Sequence, residues 1–144
     1  MALEKTLAII KPDAMAKGVV GAIIQRMEEN SLQPIGVKLL RLTREQAEGF
    51  YAVHKDKTFF TELVNFMTSG PVVVTCLLGE AAINKWRGVM GATNPDQAVA
   101  GSIRRDFGTD IQCNAVHGSD SPETARFEVG FFFEPQDLHE YEWL

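Results

Sequence analysis

Residues 71–79 read PVVVTCLLG. Proline opens the run, glycine closes it, and Thr75 is the one hydroxyl-bearing residue between them. An unbroken apolar stretch of this length, rich in β-branched residues and bounded by turn formers, is the pattern of a strand covered on both faces. KTLAIIK (5–11) has the same character, and PIGVKLLRLT (34–43) is mostly apolar and β-rich. Gln112–His117 forms a weaker fourth candidate.

Helical patterns separate these runs. Val20, Ile23, Ile24 and Met27 recur at helical spacing, with Gln25, Arg26, Glu28 and Glu29 on the other side. Thr43-Arg-Glu-Gln46 has capping-box spacing and opens a helix running towards His54. Asn94-Pro95 and Ser121-Pro122 each set a capping residue before a proline at the first helical position. ETARFEVGFFF (123–133) then reads as a helix with a thick apolar face. The resulting order, β-α-β-α-α-β-α-α-β-α, has few strands. The expected fold class is therefore an α/β (α+β) sandwich of the ferredoxin-like type, a small four-stranded antiparallel sheet with helices packed on it.

No repeat, low-complexity tract or linker divides the chain, so residues 1–144 are expected to form one domain with an acidic C-terminal tail, 134–144. The tail, EPQDLHEYEWL, interleaves Glu134, Asp137, Glu140 and Glu142 with Leu138, Tyr141, Trp143 and Leu144. It could pack on the body or on a partner subunit. Hydrophobic residues at 45% and charged residues at 23% are ordinary for a soluble globular protein. A net charge of −5 argues against nucleic acid as the primary partner, so an anionic substrate would need positive charge concentrated locally. The N-terminal apolar run is too short for a signal peptide and no stretch approaches a membrane span. Cys76 and Cys113 have no zinc or CxxC spacing, which reads as reduced thiols in a cytoplasmic protein.

Several familiar chemistries are missing from the sequence. There is no GxxxxGK[ST], GxGxxG, GxSxG or HExxH. Arg105-Asp106-Phe107-Gly108 contains the DFG of protein kinases, but neither HRD nor a glycine-rich loop accompanies it.

NAVHGSDS (114–121) stands apart. A lone histidine is most often a satisfied structural imidazole, and that reading applies to His54 and His139, structural or solvated. Around His117, however, Gly118 removes a side chain next to the ring so that a bulky group can approach, and Ser119 and Asp120 add polar groups around an opening. The chain also holds cations and donors suited to a polyphosphate: Lys11, Arg87, Thr93, Arg104 and Asn114. A neutral imidazole nitrogen can attack a terminal phosphoryl group and split one transfer into two. Such a transfer needs in-line placement and cations over the phosphoryl oxygens more than acid–base help. Glu128, a carboxylate within an apolar-rich helix, is the candidate acceptor for the second ring nitrogen. Strict strand alternation would put Asn114 and His117 on opposite faces, so the backbone must turn between them or the ligand must lie across the strand's end.

With MTSGPVV (67–73), GATNP (91–95), IIKPDA (9–14) and HKDKTFF (54–60), the motif NAVHGSDS resembles nucleoside diphosphate kinase from the first strand to about Phe133. The resemblance implies ping-pong transfer of the γ-phosphoryl group of a nucleoside triphosphate to a nucleoside diphosphate. A phosphohistidine on His117 is the intermediate, and Mg²⁺ is carried by the nucleotide phosphates with no protein ligand of its own. It further implies phosphate and ribose contacts from Lys11, Arg87, Thr93, Arg104 and Asn114, base stacking on Phe59, and an aliphatic, Ile111, near the other face of the base. Tyr51, Ser119 and Glu128 match residues that support the histidine. An aromatic platform accepts every base, so broad base tolerance is expected. The resemblance also implies a homo-oligomer with the dimer as building unit; we lean to a tetramer beyond it, although the acidic tail could oppose further association. Two positions depart from the family's pattern: Thr58, where many relatives carry proline, and Cys113, where glycine is more usual. A phosphocarrier fed by another protein and a regulatory domain that binds nucleotide without reacting are the competing classes.

Overall fold

In the computed structural model, which describes residues 2–144, four strands form one antiparallel sheet in the order β2-β3-β1-β4. They are β1 (Leu3–Ile10), β2 (Gln33–Leu40), β3 (Val72–Glu80) and β4 (Val116–Gly118). The two unbroken apolar runs are the central pair, β1 and β3, in register from Leu3↔Glu80 to Ile10↔Val73. Their composition follows from their place. Leu7, Ile9, Val72, Val74 and Cys76 face one core, while Ala8, Ile10, Val73 and Leu77 face a second core on the other side.

Helices cover both faces. Against the first lie α3 (Arg44–Phe50), α4 (Phe60–Met67) and α7 (Pro122–Phe132), contributing Phe50, Val64, Met67, Val129 and Phe132. Against the second lie α2 (Val20–Glu29), α5 (Ala82–Met90) and α6 (Ile103–Phe107), contributing Ile23, Met27, Trp86, Met90 and Ile103. This is the expected ferredoxin-like sandwich.

The capping signals have different outcomes. Thr43 and Ser121 both form complete capping boxes, at the starts of α3 and α7. Asn94 caps only a 3₁₀ turn, Pro95–Gln97, and the next helix instead opens at Ser102, whose hydroxyl accepts from the Arg105 amide. A short helix, α1 (Pro12–Lys17), follows β1 without having been anticipated. Six residues are too few to display a helical period.

Strand β2 sits at a sheet edge and has a register shift between Pro34 and Gly36, where a proline is tolerated. The acidic tail lies along this same strand of its own chain. The His139 amide donates to the Ile35 carbonyl at 2.8 Å, Gln33 Nε2 donates to the Tyr141 carbonyl at 2.8 Å, and the Tyr141 hydroxyl donates to the Pro34 carbonyl at 3.2 Å. A side chain at Gly36 would meet Leu138 Cδ2 at 2.8 Å, so the glycine admits the tail.

The fourth strand is shorter and later than the sequence suggests. The Asp110 carboxylate accepts from the amides of Gln112 (3.0 Å) and Cys113 (2.7 Å), which winds that segment into a turn. β4 then pairs with β1 through Ala8↔Gly118, Ile9↔His117 and Ile10↔Val116. Alternation sends His117 towards the first core and Gly118 towards the second. A Cβ at Gly118 would stand 2.5 Å from Trp86 Cδ1. This corrects the expectation that Gly118 clears space beside the imidazole: the glycine admits the Trp86 indole on the opposite face, and Trp86 Nε1–H donates to the His117 carbonyl at 3.1 Å.

Gly118→Ala should therefore overpack the second core and cost about 1–3 kcal/mol. Urea denaturation should show a lowered midpoint with an unchanged slope; a midpoint equal to that of the unsubstituted protein would refute this packing role.

Candidate active site

His117 is held at three points. Its carbonyl takes the Trp86 bond, its Nε2 lies 2.8 Å from Glu128 Oε1, and the Phe50 ring meets it edge-on at 5.5 Å. Glu128 projects from α7 and its Oε1 also accepts from the Ser119 hydroxyl at 2.9 Å. Ser119 is fully buried and its oxygen accepts from the Leu7 amide at 3.1 Å, which ties the cluster to β1. A carboxylate only accepts, so Nε2 carries the proton and Nδ1 is left with its lone pair. Among the described residues no protein group bonds Nδ1. Tyr51 packs nearby with ring planes at 88°. Burial, reinforced by the Glu128 charge, raises its phenol far above the usual range, so it stays neutral.

The imidazole opens into a cavity of about 640 Å³, lined by Tyr51, Phe59, Arg87, Thr93 and Arg104 among others. That volume is typical of a small-molecule site. Arg104 enters from α6 and spans Gly91 and Val116, donating to their carbonyls at 3.1 and 2.9 Å. Its Nε is buried without a partner. Burial and then the nearby Arg87 charge lower its guanidinium to about 10. The adjacent Arg105 turns outward to the Asp96 carbonyl, so of this pair Arg104 faces the site. Arg87, from α5, pairs with Asp120.

Lys11, Asn114 and Thr93 form a connected row. Lys11 Nζ donates to Asn114 Oδ1 at 2.8 Å and to the Gln112 carbonyl at 3.0 Å. Asn114 Nδ2 donates to the Thr93 carbonyl at 3.0 Å. Lys11 and Asn114 are both buried and do not line the cavity, which this row reaches through Thr93. Burial lowers the Lys11 ammonium to about 8, against an upward pull from Asp13.

Phe59 caps α4 with 47% of its surface exposed, and it lines the cavity, whereas Phe60 packs on the core. Ile111 is 62% exposed in the loop before β4 and does not line the cavity. One polar lining residue escaped the sequence reading. His54, expected to be structural or solvated, faces the cavity with its ring 5.6 Å from that of Phe59. Asp120, expected as a polar group around an opening, lines the cavity as the partner of Arg87. The spacing of HKDKTFF could have indicated His54, because the four residues of tight turn between His54 and Phe59 bring the two rings together.

A ferredoxin-like sandwich that presents a tethered imidazole beside two guanidinium groups in a small-molecule cavity has the architecture of a phosphotransferase. The family model described as nucleoside diphosphate kinase matches residues 4–138, which carries the likeness past Phe133 into the tail. A nucleoside diphosphate kinase of Anaeromyxobacter dehalogenans is 56% identical over 99% of this chain and 97% of that protein. One from Myxococcus xanthus is 55% identical over 98% and 97%. Among solved structures, the Aquifex aeolicus nucleoside diphosphate kinase superposes with a TM-score of 0.93 at 48% identity, covering 95% of this chain and 99% of that one. The Halobacterium salinarum enzyme, solved in complex with CDP, gives 0.94 at 38% identity, covering 99% and 95%. The chain belongs to the nucleoside diphosphate kinase family.

The buried lysine gives the protein a measurable pH signature. Folding lowers the Lys11 ammonium to about 8 from its ordinary 10.5, so the unfolded chain holds this proton more tightly than the folded one. Lys11 therefore destabilises the fold in full below pH 8, and this cost is relieved as pH rises towards 10.5. Relative to Lys11→Met, the unsubstituted protein should gain roughly 2–3 kcal/mol in urea-unfolding free energy between pH 7 and pH 10. A flat difference across that interval would contradict it.

Proposed function

We propose that His117 is the residue that carries the phosphoryl group in a nucleoside diphosphate kinase reaction. The observation that supports this most directly is the Glu128 carboxylate on Nε2, which leaves Nδ1 as the nucleophile beside Arg87 and Arg104 in one cavity. In the first half-reaction the Nδ1 lone pair attacks the γ-phosphorus of a nucleoside triphosphate. The Nδ1–P bond forms as the bond from phosphorus to the β,γ-bridging oxygen breaks, and that oxygen leaves with the electron pair on the diphosphate. The imidazole, now substituted at Nδ1 and still protonated at Nε2, is formally cationic, and Glu128 stabilises that charge. A terminal β-phosphate oxygen of a second nucleoside diphosphate then attacks that phosphorus in the same cavity; the new O–P bond forms as the Nδ1–P bond breaks, and the electron pair returns to Nδ1, regenerating the neutral ring.

The remaining residues take roles that suit their positions. Arg87 and Arg104 hold phosphoryl oxygens, and the buried, unpartnered Nε of Arg104 shows where its hydrogen-bonding capacity is unspent. Thr93, Asn114 and Lys11 form a connected donor row for phosphates and ribose. Phe59 offers an exposed aromatic face to the base; Ile111 is the aliphatic proposed for the other side, which the loop before β4 must bring in from outside the cavity lining. Tyr51 and Ser119 keep the imidazole in place.

The divalent cation is Mg²⁺, bound chiefly to the nucleotide phosphates. The donor set fits: Asp120 offers one carboxylate in the cavity, beside the guanidinium groups that would hold the phosphates. Mg²⁺ ordinarily takes one or two carboxylates together with substrate phosphates and water. When bound it neutralises charge on the phosphate oxygens.

Edge strand β2 exposes Val37 (53%) and Leu39 (68%), an apolar edge that pairing between two copies would protect, which supports a homodimer as the building unit. No helix among the described residues is long and apolar enough to cross a membrane. Cys76 and Cys113 are both free, in keeping with a reducing cytoplasmic setting.

Incubation with ATP and Mg²⁺ followed by intact-mass measurement should show an acid-labile gain of one phosphoryl group, removed by any nucleoside diphosphate. His117→Gln should abolish the gain while nucleotide binding persists; labelling of that variant at the normal rate would overturn the assignment. Diphosphates of all common bases should be accepted with kcat/KM values within about a hundredfold of one another, because stacking discriminates little between π-faces. A larger preference for one base would refute the role of Phe59.

A further inference from the structure

Between Asn114 and His117 the chain makes a strained turn. Ala115 has φ of +74°, in the left-handed region, and the Val116 amide donates to the Asn114 carbonyl at 2.9 Å, closing a three-residue turn around it. This γ-type arrangement is costly for a residue with a Cβ and persists only when its surroundings impose it. Here they do so from both sides. The Ala115 carbonyl accepts from the Lys11 amide at 2.9 Å, and the Ala115 amide donates to Asp13 Oδ2 at 3.0 Å. Ala115 itself is fully buried, so neither group could turn to water.

The other oxygen of that carboxylate, Asp13 Oδ1, is buried with no hydrogen-bond partner. Burying a carboxylate with one oxygen unmatched is unfavourable unless the bond it does make is needed. That bond falls on the one residue whose conformation resolves the alternation problem: with Ala115 in the left-handed region, Asn114 joins Lys11 and Thr93 while His117, three residues on, meets Glu128.

We propose that Asp13 is a positioning residue for phosphoryl transfer. By accepting the Ala115 amide it holds the strained turn that sets the distance and angle between the Asn114 donor row and the His117 nucleophile. It touches neither nucleotide nor imidazole. The inference rests on the reading of His117 given above and names a device that serves it. Ala115 is the strained element, so the requirement for Asp13 should weaken wherever the strain is removed.

The test measures single-turnover labelling of the full chain by ATP and Mg²⁺, together with steady-state kcat and KM. Asp13→Ala should lower kcat and the labelling rate by about 10- to 100-fold with KM little changed, the size expected when a nucleophile is misplaced by about 1 Å. Asp13→Asn, which keeps an acceptor for the amide, should stay within a few-fold of the unsubstituted protein. Adding Ala115→Gly to Asp13→Ala should recover most of the lost rate, since glycine takes up positive φ at little cost. A normal rate in Asp13→Ala, a loss in Asp13→Asn as large as in Asp13→Ala, or no recovery with Ala115→Gly would each overturn the proposal. Should Asp13→Ala not fold, Asp13→Glu, which keeps the charge but displaces the oxygen, replaces it in the same comparison. Absence of labelling in the unsubstituted protein would instead refute the reading of His117, so the two failures are distinguishable.

Discussion

Glu128 Oε1 is the point on which the site converges. It accepts from His117 Nε2 and from the Ser119 hydroxyl, and through Ser119 it is linked to the Leu7 amide in β1. A carboxylate in that position needs donors, and the fold supplies both from residues two apart, in β4 and just after it. The same interaction makes Nε2 the donor of the pair, and in the function proposed above that leaves Nδ1 to react. Remove the carboxylate from α7 and the ring would have no reason to keep Nε2 protonated or to hold its angle in the cavity.

The rest of the architecture can be read as what brings α7 and β4 into that relation. Ser121 starts α7 through a capping box immediately after β4, so only a short connection separates the histidine from the helix that orients it. Val129 and Phe132 anchor α7 in the first core, and β4 is held on the edge of β1 by three register pairs. On the other face Trp86 fills the space left by Gly118 and bonds the His117 carbonyl, so the backbone at His117 is fastened from the side opposite its ring. The site is rigid because two separate cores hold one three-residue strand.

Charge is distributed in the same manner. The chain is acidic overall, at −5, yet Arg87 and Arg104 meet in one cavity, with Lys11 buried behind it within reach of the Arg104 charge. Lys11 and Arg104 both bear the cost of burial, visible in their lowered affinity for protons. Cations desolvated in advance interact strongly with an incoming polyanion, because little water need be displaced when it arrives. Local concentration of charge thus overrides the net balance.

Much of this was legible from the residues. The unbroken apolar runs in β1 and β3 identify central strands because only burial on both faces tolerates such composition, and the capping boxes at Thr43 and Ser121 mark real helix starts because their chemistry is local. The histidine, its carboxylate partner and the surrounding cations were recognisable as a set. What stayed out of reach depended on contacts between distant segments. Gly118 seemed to clear room for the imidazole, whereas its absent side chain admits Trp86 from another helix. His54 is the local exception: the short turn that sets it against Phe59 lies within HKDKTFF itself. The tail's resting place on β2 and the grip of Asp13 on Ala115 join residues about a hundred positions apart. Periodicity and capping act within a few residues and are written into composition; a left-handed alanine, a buried carboxylate's partner and the nitrogen left free on an imidazole are decided only when remote parts of the chain close around one another.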